Sequence, residues 1–159
     1  MLPLYKSLVR PHLEYAVQFW SPHLRRYINK MERVQIKATQ MIREIRNHSY
    51  QQRLKNLELI SLIQRRLRGQ LIEVFKYLNI LKNVSPICLF FNDWTLNNGN
   101  KLLVERFNSS VAQHFLSINI TTTWNALHYY VVNSRTVNTF KSRLDAHWQG
   151  NPPDVQVNW

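Results

Sequence analysis

From Leu24 onward the apolar residues Leu24, Ile28, Met31, Val34, Ala38, Met41, Ile42 and Ile45 recur at steps of three and four. That spacing matches the 3.6-residue turn of an α-helix, whereas a strand alternates its faces every second residue. Residues 24–45 are therefore expected to form one amphipathic helix, with Ser21 as its N-cap and Pro22 at its first position. Leu67, Leu71, Phe75 and Leu78 predict a second long helix over about residues 62–81. It continues through Gly69, although glycine weakens a helix by about 1 kcal/mol relative to alanine. Ser49-x-x-Gln52 and Ser61-x-x-Gln64 are capping-box patterns, which mark two further helix starts. Residues 4–20 read as a helix kinked or broken near Arg10, because Pro11 cannot donate to the preceding turn.

After Lys82 the pattern changes. Val84-Ser85-Pro86 and Asn97-Asn98-Gly99-Asn100 are turn chemistry, so residues 83–108 are expected to be a linker or irregular segment. Residues 111–118 and 123–132 read as short helices, against the β-favouring composition of Thr121-Thr122-Thr123 and Tyr129-Tyr130-Val131-Val132. Val137, Phe140, Leu144 and Trp148 share one face of a last helix, ended by Gly150, Pro152 and Pro153. The expected fold is mainly α. It comprises a basic helical bundle over about residues 3–82, the irregular segment, a small C-terminal helical region at 109–150 and a tail at 151–159.

The 159 residues carry 21 Lys and Arg against 9 Asp and Glu, a net charge of +12. Residues 1–82 hold 16 of those cations and 5 of the acids, so the positive charge belongs to the N-terminal half. Such a balance points to a polyanionic partner, with an acidic membrane surface as the weaker alternative. Arg25, Arg26, Lys30, Arg33 and Lys37 fall opposite the apolar face of the first long helix, and Arg65, Arg66 and Arg68 open the second. These eight are the candidate phosphate contacts. Each has a plainer reading as part of a solvated helix face.

Catalytic chemistry is scarce. Two-metal polymerases and nucleases need converging carboxylates to share ions roughly 4 Å apart, and no two of the nine acids here are adjacent. Three glycines supply neither a P-loop nor a dinucleotide loop. The six histidines and the single Cys88 lack zinc-ligand spacing, so no metal or cofactor is expected, and Cys88 reads as a small buried hydrophobe. Trp20, Trp94, Trp124, Trp148, Tyr5, Tyr15, Tyr27 and Tyr50 have the chemistry to stack on bases, but those at helical spacing among aliphatic residues read better as core. No apolar run reaches the ~20 residues of a membrane span, and the N-terminus lacks a secretory h-region. The chain is expected to be intracellular, in nucleus or cytoplasm.

Residues 2–22, Leu-Pro-Leu-Tyr-Lys-Ser-Leu-Val-Arg-Pro-His-Leu-Glu-Tyr-Ala-Val-Gln-Phe-Trp-Ser-Pro, closely resemble the segment downstream of the polymerase core in non-LTR retrotransposon (LINE) reverse transcriptases of the jockey and chicken-repeat type. Met31-Glu32-Arg33-Val34-Gln35, Ser49-Tyr50-x-x-Arg53-Leu54-Lys55 and Arg65-Arg66-Leu67-Arg68-Gly69 resemble that family's thumb and post-thumb helices. Trp124-Asn125-x-Leu127, Val131-Val132-Asn133-Ser134 and Thr136-Val137-Asn138-Thr139-Phe140 are similar to its C-terminal end. The resemblance implies an origin in an RNA-directed DNA polymerase, with the palm and its Tyr-x-Asp-Asp site upstream of Met1. It implies a remnant that is not itself an enzyme, encoded from within a truncated element copy. The expected partners are RNA, DNA or an RNA–DNA hybrid, bound through the backbone without sequence preference, and a reverse transcriptase palm. Departures from the family pattern, such as Gln35-Ile36-Lys37-Ala38 and Leu127-His128, fit a decaying copy. The alternatives are a helical protein–protein interaction module and a non-functional fragment of a decayed element.

Overall fold

The computed structural model describes residues 2–17, 22, 24–84, 101–102 and 116–150. The fold is mainly α, and the chain divides into two compact units between Gly69 and Gln70. Most of the expected 83–108 segment, residues 111–115, Ser21, Cys88 and the tail lie outside the described residues.

The first unit opens with a helical run built of α1 (Leu2–Leu4), a π-helical turn (Tyr5–Val9) and α2 (Arg10–Glu14). The expected break at Pro11 takes the form of a change in hydrogen-bond register. The Arg10 N–H bonds the Tyr5 carbonyl, five residues back, just before the residue that has no N–H to give. Next come α3 (Arg25–Gln40), a 3₁₀ turn (Arg43–Ile45), α4 (Tyr50–Asn56) and the first turns of α5 (Leu62–Val84). Ser49 and Gln52 form the expected capping box at α4: Ser49 Oγ accepts from the Gln52 N–H, and Gln52 Oε1 accepts from the Ser49 N–H. Ser61 Oγ accepts from the Gln64 N–H at the start of α5.

The helix α3 corrects the sequence expectation twice. It begins at Arg25 after an extended Leu24, so Pro22 is not its first residue. It also stops at Gln40, leaving Met41, Ile42 and Ile45 outside. The Met41 N–H still bonds the Lys37 carbonyl at 3.2 Å, whereas the Ile42 N–H turns back to the Thr39 carbonyl at 3.4 Å, tightening the last turn, and Ile42 is extended. Buried Arg53 then donates to the His48 carbonyl at 3.1 Å, tying the chain after α3 to α4.

The second unit contains the rest of α5 with α6 (Leu116–Asn125), α7 (Tyr129–Val132) and α8 (Val137–Gly150). Its core follows the periodicity: Leu71, Phe75 and Leu78 are buried, as are Phe140, Leu144 and Trp148. The Phe75 and Phe140 rings stack with centroids 4.4 Å apart, and Trp124 stacks on Phe140 at 5.8 Å. The expected helix over 123–132 is instead two helices. His128 breaks it, its Nδ1 accepting from the Tyr130 N–H as the cap of α7. Asn125 clasps both backbone groups of Leu102, with N–O distances of 2.9 Å each way.

Candidate nucleic-acid interface

On α3, Arg26, Lys30, Arg33 and Lys37 stand at i, i+4, i+7 and i+11, which places all four on one side of the helix. At 1.5 Å per residue the stripe is roughly 16 Å long. All four are exposed, as is Arg25 beside them. None of the five forms an ion pair with a carboxylate among the described residues. An exposed Tyr27 organises the N-terminal end of the stripe. Arg26 donates to its hydroxyl at 2.7 Å with the guanidinium 4.6 Å from the ring centroid, and Lys30 lies 5.8 Å from the same centroid.

What turns that stripe outward is buried on the opposite side. Glu32, Gln35 and Thr39 of α3 are fully buried, although sequence periodicity assigned that role to apolar neighbours. Glu32 accepts the N–H groups of Leu62 at 3.1 Å and Ile63 at 3.2 Å, at the start of α5, and also the Tyr50 hydroxyl. The amino end of a long helix is partially positive, so a carboxylate there is favoured by the dipole and by its donors together. Gln35 accepts from Tyr5 Oη at 2.8 Å and donates to Tyr50 Oη and the Ile60 carbonyl, each at 3.0 Å. Burial, then the nearby Glu32 charge, pushes the Tyr5 phenol up to about 12 and drives Tyr50 well above the ordinary tyrosine range. Glu32 is the sole acid between Glu14 and Glu44. An acid alone in a cationic helix was the signal available for this network.

The cations of α5 are placed differently. Arg65 forms a bidentate pair with Glu14 of α2, Nε to Oε1 at 2.5 Å and Nη2 to Oε2 at 3.0 Å. Arg66 is only 6% exposed, and its Nη1 donates to the Leu13 carbonyl. Burial pulls that guanidinium below its ordinary value, offset in part by Glu14. Both arginines fasten α2 to α5. Arg68 is half-buried.

Part of the apolar series read from the sequence stays exposed, on α3 and at the residues that flank its two ends. Leu24 is 42% exposed, Val34 37% and Met41 60%. Among the described residues no group of His, Cys, Asp and Glu is placed to hold a metal ion, and no helix is long and apolar enough to cross a membrane. Compared with family models, curated proteins and solved structures, the chain matches none of them.

Proposed function

We propose that this chain derives from the thumb and post-thumb part of a non-LTR retrotransposon reverse transcriptase, and that it binds RNA, DNA or hybrid duplex through the phosphate backbone. The observation that carries the binding is the α3 stripe: Arg26, Lys30, Arg33 and Lys37 exposed on one side, with Arg25 next to them and no carboxylate paired to any of the five among the described residues. Unpaired cations at helical spacing contact phosphates without reading bases, which is what a surface sliding over every sequence requires. The ordered blocks of resemblance support the origin. No catalytic step is assigned to the chain.

The test is fluorescence anisotropy of labelled duplexes across a salt series, for the parent and for a variant with Arg25, Arg26, Lys30 and Arg33 changed to Gln. The parent is expected to bind unrelated sequences equally and to weaken steeply with salt, and the variant to lose most of that dependence. Sequence-selective binding, or an unchanged salt dependence in the variant, would overturn the proposal.

The exposed Leu24, Val34 and Met41 favour a second reading, a helical module whose α3 seam packs against another protein such as a polymerase palm. That reading expects concentration-dependent association, seen by analytical ultracentrifugation and removed by Val34→Glu.

A further inference from the structure

Where α3 ends, the chain builds a pocket of about 560 Å³ lined by Lys37, Gln40, Met41, Arg43, Arg46 and Asn47. Lys37 comes from the last turn of α3, and Arg43 opens the 3₁₀ turn that follows. Arg46 caps that turn with α-helical backbone angles, and both arginines line the pocket. Three cationic side chains and two amides thus line it together, with no carboxylate among the described residues that do. Glu44, the acid between the two arginines, is exposed and is not part of the lining. Among the described residues Lys37, Arg43 and Arg46 form no ion pair.

That composition selects its ligand. A single carboxylate would leave two of the three positive charges unmatched, whereas a phosphate chain brings two or more negative charges and oxygens suited to the guanidinium fork. The depression is open to solvent, its six lining residues all exposed, and its volume exceeds what one phosphate fills. Met41, 60% exposed, gives the wall an apolar side chain, a surface for a ribose or base. We propose that the pocket of Lys37, Arg43 and Arg46 binds the terminal phosphates of a nucleotide, either free or at the 5′ end of a strand. The site shares Lys37 with the α3 stripe and does not depend on duplex binding.

The experiment uses the full chain and inorganic pyrophosphate, followed by titration calorimetry. A paired change of Arg43 and Arg46 to Gln should weaken pyrophosphate binding by about tenfold or more, and a paired change of Arg135 and Lys141 to Gln, which removes the same charge from the second unit, by less than about twofold. NMR of the parent adds a measurement that needs no variant: the side-chain amides of Gln40 and Asn47 should shift on titration. Short single strands with and without a 5′-phosphate then separate the two sources. A preference for the phosphorylated strand, lost in the Arg43 and Arg46 variant, assigns a strand end; equal binding of both strands assigns a free nucleotide. No saturable pyrophosphate binding by the parent, equal losses in the two variants, or amide shifts confined to residues elsewhere would overturn the pocket. Failure of the duplex-binding proposal shows separately, as duplex affinity insensitive to the α3 stripe while pyrophosphate binding persists.

Discussion

Glu32 and Leu62 are 30 positions apart, and the carboxylate of the first accepts the backbone N–H of the second at 3.1 Å. This bond makes the start of α5 a docking point for α3, and it fixes the rotation of α3 so that its cations face outward. A buried carboxylate held by two backbone N–H groups and a tyrosine hydroxyl ties three segments, α3, α4 and α5, in one place.

Glu32→Gln should therefore destabilise the first unit by about 2–3 kcal/mol, since it removes charge-assisted bonds and turns an amide donor toward other donors. Arg33→Gln, next in sequence but on the exposed side, should stay within about 0.5 kcal/mol. Urea unfolding followed by circular dichroism checks both. Equal shifts would mean that Glu32 plays no special part in docking α5.

The stability of the same unit should fall in alkali. With the Tyr5 phenol raised from 10.0 to about 12, the folded state keeps its proton where the unfolded state loses it. The stabilisation is complete below pH 10 and is lost as the pH climbs toward 12, and Tyr50 shifts in the same direction. Tyr5→Phe should lower stability at neutral pH by about 1 kcal/mol, leaving Gln35 short of a donor, and should flatten the alkaline fall. Thermal melts from pH 8 to 11.5 measure the difference.

Salt dependence should separate the two sets of arginines. Contact with four phosphates gives a log–log slope near −3 to −4 on duplex DNA, from about −0.9 per contact. The α3 variant should flatten it, whereas Arg65→Gln and Arg66→Gln should lower the melting temperature and leave the slope in place. Changing Lys101, Arg135 and Lys141 together should matter less than the α3 set. Loss of slope in proportion to charge removed, wherever it is removed, would mean that net charge alone attracts nucleic acid.

In the second unit, Leu71→Asp or Phe75→Asp should abolish cooperative unfolding, because an unpaired carboxylate would enter the face that stacks on Phe140. Near-ultraviolet circular dichroism of Trp124, buried beside the same ring, reports the loss directly.

The features legible in the sequence are those whose physics is local. Ser49 and Gln52 bond each other within one turn, and the buried Leu71, Phe75 and Leu78 repeat at helical spacing, Phe75 meeting Phe140 from an equally periodic helix. The phase of α3 was not legible. Apolar periodicity pointed to Val34 and Met41 as buried, but the partners that satisfy Glu32 and Gln35 come from Tyr5, Tyr50, Ile60, Leu62 and Ile63, between 15 and 31 positions away. Likewise, charge count made Arg65 and Arg66 look available, and only the tertiary approach of Glu14 and Leu13 shows them occupied. The pocket at the end of α3 depended on the early stop of that helix, which the run of Met41, Ile42 and Ile45 concealed.

Gly69, the residue that weakens α5 on paper, has a neighbour that accounts for it: a Cβ placed there would stand 3.3 Å from Val17 Cγ2. The gap is tight enough that the two positions are not free to drift separately. A methyl group gained at residue 69 improves the helix but presses on Val17, and shortening Val17 to alanine relieves the pressure while leaving less apolar surface buried. Among diverging copies of this sequence, residues 17 and 69 should therefore change as a pair, small against large, and a lineage that loses the glycine should carry a record of that exchange at residue 17.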